Sequence, residues 1–413
     1  MTCLMRMRSW VLLATALVGC GTPPDPEVAS SEPGRPLDAG PVDFGEPDAG
    51  WRFVSLPGTQ CATGAQTGVG YWPGAEDELL IFLQGGGACW NNGTCRPSAF
   101  QWGPVCGYGD GLCLVNTAGG TQPSSVFVTH PDPFPADGGG AFPGELNSVK
   151  AALWFQRRPE NPMQHASFVF VPYCTGDLHA GDAETQYTTK VDGVTRTVTH
   201  HFAGGRNLEV LFKALRLEHP QVRRIWFTGA SAGGYGVQLN LHRLRAAFPE
   251  AEVHLLADSA PMITTRHWPQ MNRAWLPQFP TPCEGCAEGG LPIIFAAQRA
   301  AASPSSRIGL LAYEGDGVIT RFFFSENTLD SFLAQAPIAT YTAALKETET
   351  QYDGTRAAFF ELGGEEHVML LRAGTAQADG GLTASVLSRD RSVSLRDWLG
   401  AWATGDGGWG NAQ

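Results

Sequence analysis

The feature that most constrains the fold is a motif of small residues around Ser231. An apolar run of strand length at 224–228 leads directly into Gly-Ala-Ser-Ala-Gly at 229–233, and leucines at helical spacing follow at 236–248. Small residues on both sides of a serine allow a sharp turn from a strand into a helix, and that turn lifts the hydroxyl out of the sheet. The motif therefore predicts a nucleophilic serine between a strand and a helix.

Short apolar runs recur along the chain, each followed by a turn and a helix-like stretch. Continuous apolar runs of strand length are typical of a parallel sheet covered on both faces. Their alternation with amphipathic segments predicts an α/β fold with a mostly parallel central sheet and helices on both faces. Together with the serine motif, this predicts the α/β-hydrolase-like type, with long disulfide-stapled loops. The strand candidates are residues 78–83, 167–172, 224–228, 252–257 and 357–362, with a closing helix at 395–402.

The charge balance excludes one class of partner. The chain of 413 residues has 28 Lys and Arg against 40 Asp and Glu, which gives a formal net charge of −12. Phosphate binding needs a basic face, and no Lys/Arg cluster of useful length occurs in the sequence. We therefore expect no nucleic-acid partner.

The first fifty residues are typical of a leader and a tether. Arg6 and Arg8 precede an apolar run at 10–18 that is too short to span a bilayer, as in a signal peptide. This run ends in Leu-Val-Gly-Cys, which matches the lipobox of bacterial lipoproteins and makes Cys20 the expected lipidation site. The stretch at 21–50 is rich in Pro, Gly, Asp and Glu, so it predicts a disordered linker.

Three segments follow: a lipoprotein signal peptide at 1–20, a disordered linker at 21–50 and a catalytic domain at 51–413. We expect an exported protein that is anchored to the bacterial cell envelope and touches the membrane only through its N-terminal lipid. A secreted protein is the alternative if Cys20 is not lipidated. We expect the domain to be a monomer.

Eight cysteines lie in the predicted domain. An even number in an exported chain predicts up to four disulfides. Cys283 and Cys286 could instead form half of a metal site or a redox pair, but no second Cys or His pair with comparable spacing lies nearby, and the two lie in loop sequence and not at a helix start. We expect a loop staple and no metal. The eight are Cys61, Cys89, Cys95, Cys106, Cys113, Cys174, Cys283 and Cys286.

A serine nucleophile needs a base, and two histidines follow Ser231 at a suitable distance. The base removes the hydroxyl proton, a carboxylate fixes the tautomer of the base, and the chain order with this motif is Ser, acid, His. His367 lies in a Gly-containing turn after the apolar run that ends at residue 362, so it is the predicted base. His267 lies before the next strand candidate and would break the chain order; we expect it to line a pocket or lie at the surface.

Three carboxylates are candidates for the acid. Asp316 follows an apolar run and has Gly on both sides, Glu314 lies two positions earlier, and Asp258 ends the strand after the predicted helix. We rank Asp316 first, Asp258 second and Glu314 third. The alternative role of Asp258 is to accept hydrogen bonds from loop amides near the site without taking part in the chemistry.

The oxyanion that develops during attack needs preorganised amide donors. The amide after the nucleophile, that of Ala232, is one, and a Gly-rich turn after an earlier strand usually supplies the others. The block at 84–90, Gln-Gly-Gly-Gly-Ala-Cys-Trp, lies directly after the run at 79–83 and lets the backbone approach a substrate.

Four blocks occur in the order seen in the pectin acetylesterase / Notum family of α/β-hydrolases, which the chain resembles from about residue 79 to 369. The blocks are FLQGGGACW (82–90), VPYCTGD (171–177), GASAGG (229–234) and ADS (257–259). The resemblance implies a carboxylester hydrolase that uses Ser231, an Asp and His367. It further implies an oxyanion hole built from the amides of Gly86, Gly87 and Ala232.

Members of the family remove acetyl groups from plant pectin or a fatty acyl group from a signalling protein. The chain differs from the plant pattern at 313–316, around the predicted acid. It also has Gly87-Ala88 where some relatives carry an aromatic residue, which affects the shape of the acyl pocket.

We therefore expect a serine carboxylesterase that hydrolyses acetyl or other acyl esters, on a polysaccharide such as pectin, through Ser231, His367 and Asp316, with an acyl-enzyme intermediate and no cofactor. One alternative is a lipid-anchored carbohydrate-binding protein on an inactive hydrolase scaffold, because the twelve Trp could also stack on sugars. The other is an acyltransferase with the same residues, in which an alcohol accepts the acyl group.

Overall fold

The computed structural model describes residues 31–33, 42–45, 50–62, 64–91, 94–95, 112–114, 126–128, 153–191, 194–324, 337–370 and 386–413. The predicted signal peptide and its Cys20 lie outside these ranges. None of the helices found within them has both the length and the apolar character that a membrane span requires.

Strands and helices alternate through most of this part of the chain. The strands are β1 (Ser31–Pro33), β2 (Arg52–Ser55), β3 (Gly68–Trp72), β4 (Ala75–Leu83), β5 (Leu112–Leu114), β6 (Val126–Val128), β7 (Ala166–Val171), β8 (Ala183–Val191), β9 (Val194–Phe202), β10 (Arg224–Ala230), β11 (Glu252–Asp258), β12 (Ile308–Tyr313) and β13 (Ala357–Leu362). The helices are α1 (Gly204–Glu218), α2 (Ala232–Ala247), α3 (Trp268–Trp275), α4 (Cys286–Gly289), α5 (Leu291–Ala301), α6 (Gly317–Phe324), α7 (Ile338–Glu349) and α8 (Leu395–Thr404), and a 3-10 turn lies at Leu153–Phe155.

An eight-stranded sheet lies at the centre, in the order β13-β12-β11-β10-β4-β7-β3-β2. The strands from β13 to β7 are parallel to one another, whereas β3 and β2 run antiparallel at one edge. The predicted mostly parallel sheet is confirmed. Every residue of β7, β12 and β13 is buried, because helices cover both faces and such strands have no solvent-facing side.

Alternate residues of β4 show how the two faces are covered. Leu79, Ile81 and Leu83 pack into one apolar cluster with residues of α1, α2 and α5. Leu80 and Phe82 point the other way, into a second cluster with the 3-10 turn and the Trp residues of α8. Because side chains alternate along a strand, one apolar run supplies both layers of the core.

The packed chain starts earlier than the predicted boundary at residue 51. β1 pairs antiparallel with β8, which forms a long hairpin with β9. Phe44 is buried, and its ring lies edge-on to that of Tyr71 with the centroids 4.9 Å apart. Both β1 and Phe44 belong to the predicted linker at 21–50. β1 lies against the body because its backbone pairs with β8, and Phe44 does so because its aromatic ring is buried.

Three disulfides are present in the described part of the structure: Cys61–Cys174, Cys89–Cys95 and Cys283–Cys286. The last confirms the predicted staple. The prediction that this cysteine pair lies in loop sequence, away from a helix start, was wrong. Cys286 is the first residue of α4, and Gly285, with φ of 75°, makes the left-handed turn into that helix. The side chains of Cys106 and Cys113 lie outside the described part, so their pairing stays a prediction.

Candidate active site

Ser231 occupies the turn between β10 and α2. Its backbone has φ of 54° and ψ of −123°, a conformation that costs a non-glycine residue about 1–3 kcal/mol. Two hydrogen bonds hold it: the Ser231 amide donates to the carbonyl of Asp258 at 2.8 Å, and the Tyr235 amide donates to the carbonyl of Ser231 at 3.1 Å. The helix begins directly at Ala232, four residues before the predicted start.

Two glycines make this turn possible. A Cβ atom on Gly229 would lie 2.3 Å from the carbonyl oxygen of Gly233, and one on Gly233 would lie 2.0 Å from the carbonyl oxygen of Leu83. Both distances are far below any real contact, so no larger residue fits at either position. The sequence motif thus encodes the strand-to-helix turn through close backbone packing.

His367 and Asp316 form a hydrogen-bonded pair. The imidazole Nδ1 lies 2.7 Å from Oδ2 of Asp316, which is fully buried. The other carboxylate oxygen accepts hydrogen bonds from the amides of Val318 and Ile319, both at 2.9 Å, at the start of α6. With both oxygens used in this way the carboxylate is fixed in one orientation, and it favours the tautomer that carries its proton on Nδ1.

The second ring nitrogen of His367 faces the interior. Nε2 is buried and has no hydrogen-bond partner among the described residues, Ser231 included. Bonds between a base and a nucleophile are often long before substrate binds and tighten in the reacting complex. An imidazole with Nδ1 bound to a carboxylate and Nε2 unpaired can accept a proton at Nε2.

The two alternative acids have other partners. Glu314 accepts a hydrogen bond from Nη1 of Arg389 at 2.8 Å, and 40% of its side chain is exposed. Asp258 accepts the amides of Met369 and Leu370, at 2.8 Å and 2.6 Å. Burial raises the pKa of Asp258 to about 6, although these amide bonds act to lower it.

Ser231 and the loop that carries His367 are tied to the same edge of the sheet. Asp258 pairs with Ala230 at the end of β10, and the next residue, Ser259, accepts the Val368 amide at 2.9 Å. The turn that holds Ser231 and the loop that carries His367 therefore both attach to the end of β11. The carboxyl ends of parallel strands are where α/β sheets commonly bind ligands.

The Gly-rich block packs against the serine turn. A Cβ atom on Gly85 would lie 2.6 Å from the carbonyl oxygen of Ala230 and 2.9 Å from Cβ of Ser231. Gly87 has φ of 74°, a left-handed value that favours glycine, and a Cβ there would lie 2.9 Å from Cζ of Phe322. The block thus lies between the nucleophile and the ring of Phe322.

The predicted oxyanion donors belong to the two segments that meet here, the start of α2 and the Gly-rich block. Ala232 is the first residue of α2, so its amide belongs to the first helical turn, whose N–H groups have no partner within the helix. Gly86 lies on the ring of Tyr173, where a Cβ would approach Cδ1 to 2.6 Å.

Two contacts that the sequence analysis did not predict hold this block. His179 Nε2 lies 2.8 Å from the carbonyl oxygen of Gln84, and burial lowers its pKa to about 4, so the neutral ring donates that bond. The side-chain oxygen of Gln84 accepts the Tyr173 amide at 2.8 Å. The only signal in the sequence was the position of Tyr173 and His179 within or just after the VPYCTGD block.

His267 does not lie in the histidine loop. It is buried at the start of α3, and its ring centroid lies 5.2 Å from that of Trp90, at the end of the Gly-rich block. The carbonyl of Cys89, the neighbour of Trp90, accepts a hydrogen bond from Nε1 of Trp275 at 2.8 Å. Both contacts attach α3 to the end of the block.

Within the described ranges, one group of side chains has the spacing of a metal site: Cys89, Cys95 and His200. The two sulfur atoms are joined in a disulfide, so neither is the thiolate that binds a metal. Nε2 of His200 lies 2.9 Å from the carbonyl oxygen of Thr175. This group is a covalent staple with a packed histidine beside it.

The strand order, the strained serine turn and the histidine loop at one sheet edge define an α/β-hydrolase-like fold. Comparison with known proteins agrees with this. The crystal structure of the Wnt deacylase Notum from Drosophila is similar to 86% of this chain and 93% of its own, with a TM-score of 0.52 at 16% identity. At that identity the likeness concerns the fold.

Sequence comparisons confirm the resemblance to the pectin acetylesterase / Notum family. The family model described as pectinacetylesterase matches residues 149–273, which include Ser231 and Asp258. Over 219 residues the chain is 26% identical to the palmitoleoyl-protein carboxylesterase NOTUM of Schmidtea mediterranea. That match covers 51% of this chain and 34% of the relative, so it spans about a third of that protein.

Proposed function

We propose that the protein is a serine carboxylesterase that hydrolyses acyl esters, with acetyl esters on a polysaccharide such as pectin as its substrates. The observation that carries the proposal is the hydrogen bond between His367 and the buried Asp316, at the sheet edge that also holds Ser231, with Nε2 of His367 unpaired among the described residues. A general base requires a ring nitrogen that is free to accept a proton, and in His367 that nitrogen belongs to a ring whose other nitrogen is bonded to a carboxylate.

In the first step Nε2 of His367 takes the hydroxyl proton of Ser231, and Oγ attacks the ester carbonyl carbon. Asp316 stabilises the imidazolium that forms, and the amides of Gly86, Gly87 and Ala232 donate to the oxyanion. The tetrahedral intermediate then collapses: the bond to the alcohol oxygen breaks, and the alcohol leaves with the proton from His367. Each oxyanion donor contributes about 10²–10³ in kcat.

In the second step water replaces the alcohol. His367 removes a proton from the water, the resulting hydroxide attacks the acyl-enzyme, and the carboxylic acid leaves as the proton returns to Oγ of Ser231. The sum is ester plus water to acid plus alcohol, and side chains and backbone amides supply every proton transfer and charge contact. The chemistry therefore calls for no cofactor.

The position of Phe322 favours a substrate with a short acyl group. Its ring lies beside Gly87, at the position where some relatives carry an aromatic side chain on the Gly-rich block itself. The next residue, Phe323, packs edge-on to Tyr235 with the centroids 5.2 Å apart. The ring of Phe322 thus fills space next to Gly87, one of the predicted oxyanion donors, which favours an acetyl over a long-chain ester.

An ester panel tests the proposal. Wild type should hydrolyse p-nitrophenyl acetate faster than the octanoate, and Ser231→Ala should show no turnover of either ester while its thermal melt stays near that of wild type. Phe322→Ala should shift the preference toward the longer ester. Turnover that survives in Ser231→Ala would contradict the proposal.

The same assay separates the two alternatives. A carbohydrate-binding protein on an inactive scaffold would bind acetylated pectin without releasing acetate. An acyltransferase would remove acetyl groups from pectin slowly in water alone and faster when a sugar alcohol is added as acceptor, with the acetyl group recovered as an ester of that alcohol and not as free acetate. Acetate release that does not depend on an added alcohol supports the esterase.

We also propose that the protein is exported and lipid-anchored at Cys20. The lipobox supports the anchor, and the three disulfides support an oxidising compartment. Wild type should incorporate radiolabelled palmitate, and Cys20→Ser should abolish that incorporation. Equal labelling of the two proteins, or no labelling of wild type, would contradict the anchor.

A further inference from the structure

Two adjacent side chains at the end of β11 bind three consecutive backbone amides after His367. The hydroxyl of Ser259 accepts the Val368 amide at 2.9 Å. The carboxylate of Asp258 accepts the Met369 amide at 2.8 Å and 3.0 Å and the Leu370 amide at 2.6 Å. We call this set of bonds the β11 clamp.

We infer that Asp258 and Ser259 are positioning residues, which direct the imidazole of His367 by fixing the backbone that follows it. The inference rests on the proposed function, because it assigns the clamp a role in the chemistry of that site. Neither side chain is the acid of the site, since the carboxylate bonded to the imidazole is that of Asp316.

The backbone beyond His367 needs such support. Val368 has φ of 65°, which is a rare value for a β-branched residue and persists only where the surroundings enforce it. Its amide is the one that Ser259 accepts. Without the clamp, the loop would relax toward an ordinary backbone conformation, and the ring of His367 would turn with it.

The clamp is itself anchored in the sheet. Asp258 is the last residue of β11 and pairs with Ala230 on one side and Leu311 on the other. Ser259 has φ of 52°, and its amide donates to the carbonyl of Leu311 at 2.8 Å. The two acceptors are therefore held by β10 and β12, and they transmit that rigidity to the histidine loop.

Two variants of Asp258 separate a positioning role from the effect of its charge. In Asp258→Asn the side-chain oxygen can still accept the Met369 and Leu370 amides, whereas Asp258→Ala leaves both without that acceptor. Displacing a catalytic group by about 1 Å costs roughly 10² in rate. We expect kcat of Asp258→Ala on p-nitrophenyl acetate to fall about 100-fold with KM changed less than about threefold, and Asp258→Asn to recover most of that loss.

Ser259→Ala tests the second half of the clamp. It removes one acceptor from one amide, and we expect kcat to fall by about 5-fold to 10-fold, because loss of one hydrogen bond shifts the loop less than loss of two. Hydrogen exchange at Val368, Met369 and Leu370 supplies a readout that does not depend on activity. Hydrogen exchange at these three amides should become faster in Asp258→Ala. In Ser259→Ala, exchange should become faster at Val368.

Matched controls lie elsewhere in the fold. Asp353 lies before β13, whereas His367 lies after it. The carboxylate of Asp353 accepts the amides of Thr355 and Arg356 at 2.8 Å and 3.1 Å. The Ser394 hydroxyl accepts the Asp397 amide at 3.1 Å at the start of α8. Asp353→Ala and Ser394→Ala should lower the melting temperature but leave kcat within about twofold of wild type.

Unchanged kcat in Asp258→Ala, or an Asp258→Asn variant as impaired as Asp258→Ala, would overturn the inference. Exchange at 368–370 that is no faster in Asp258→Ala would overturn it as well. Absence of Ser231-dependent turnover in wild type would instead count against the proposed function, and the exchange result would still decide whether the clamp holds the loop.

Discussion

The two ends of the central sheet use polar side chains in opposite ways. At the amino end, Arg224 forms ion pairs with Glu78 and Glu252 at 3.2 Å and 3.7 Å, and all three side chains are partly exposed. At the carboxyl end, the carboxylates of Asp258 and Asp316 are fully buried and bind backbone amides.

Backbone conformation follows the same division. Of the described non-glycine residues with positive φ, Ser231, Ser259 and Val368 lie at the carboxyl end of the sheet, and the others lie outside its strands, at Leu178, His179, Leu276 and Arg391. A buried polar group that lacks a partner and a strained backbone both cost free energy, so they persist where the surrounding fold enforces them. The difference supports the proposed site: buried carboxylates that bind backbone amides fix the loops at the carboxyl end, whereas the partly exposed ion pairs at the amino end add modest stability.

The largest expected effect is that of Asp316→Asn at the carboxyl end. An amide can bond to His367 in the wrong tautomer and cannot stabilise the imidazolium, so kcat should fall by about 10⁴. Glu314→Gln is the control, because Glu314 binds Arg389 and should leave kcat within about twofold of wild type. Esterase assays of both variants check this, and equal losses in the two would remove the distinction between Asp316 and its neighbour.

Gly87→Ala should have the next largest effect. The new Cβ would lie 2.9 Å from Cζ of Phe322 on a backbone with φ of 74°, so the Gly-rich block must shift and move a predicted oxyanion donor. We expect kcat to fall by about 10²-fold to 10³-fold. Gly400→Ala is the control, since no atom lies within 4 Å of its Cβ position inside α8 and Ala favours the helix. Equal kcat in Gly87→Ala and wild type would contradict the oxyanion assignment.

A pH-dependent effect of smaller size is expected for Asp258→Asn. Burial raises the pKa of Asp258 to about 6, above the ordinary value near 4. Between these values the unfolded chain loses the proton while the folded protein keeps it, so the contribution of Asp258 to stability falls as pH rises from about 4 to 6 and then stays constant. An Asn side chain does not titrate, so its contribution to stability does not change with pH.

Relative to wild type, Asp258→Asn should therefore gain stability by about 3 kcal/mol between pH 4 and pH 8. Urea unfolding of both proteins across that range measures the difference directly. A stability difference that does not vary with pH would show that the carboxylate is already ionised in the folded protein at pH 4.

The smallest effect is expected at the amino end. Arg224→Gln removes ion pairs from a side chain that is 42% exposed, and exposed pairs contribute about 0–1 kcal/mol. We expect a loss of stability below about 1 kcal/mol and an unchanged kcat. A loss of activity here would show that the two ends of the sheet are coupled more strongly than their contacts suggest.

The sequence predicted the elements whose signals are local. The strand, the small residues and the helix around Ser231 are contiguous, so a motif predicts them together. The runs before Asp316 and His367 placed both residues after parallel strands, whose carboxyl ends meet at one edge. The pairing of these two side chains was one of three open choices, because sequence order does not determine which carboxylate the imidazole faces.

Long-range contacts were beyond prediction. The sequence offered bonds to loop amides as the alternative role of Asp258, but it did not indicate that Met369, 111 positions away, supplies one of them. His179 supports Gln84 from 95 positions away for the same reason. Phe44 is different: one large aromatic residue in a polar stretch was a visible signal that part of the linker is buried, and composition averaged over the stretch concealed it.

The most direct test of the central claim, that His367 activates Ser231, is the site of labelling by a fluorophosphonate. Peptide mass spectrometry should find the adduct on the peptide that contains Ser231 in wild type, and the labelling rate should fall by about 10³-fold or more in His367→Ala. An adduct that forms in His367→Ala at the wild-type rate, or no adduct on Ser231 in the folded wild-type protein, would contradict the claim.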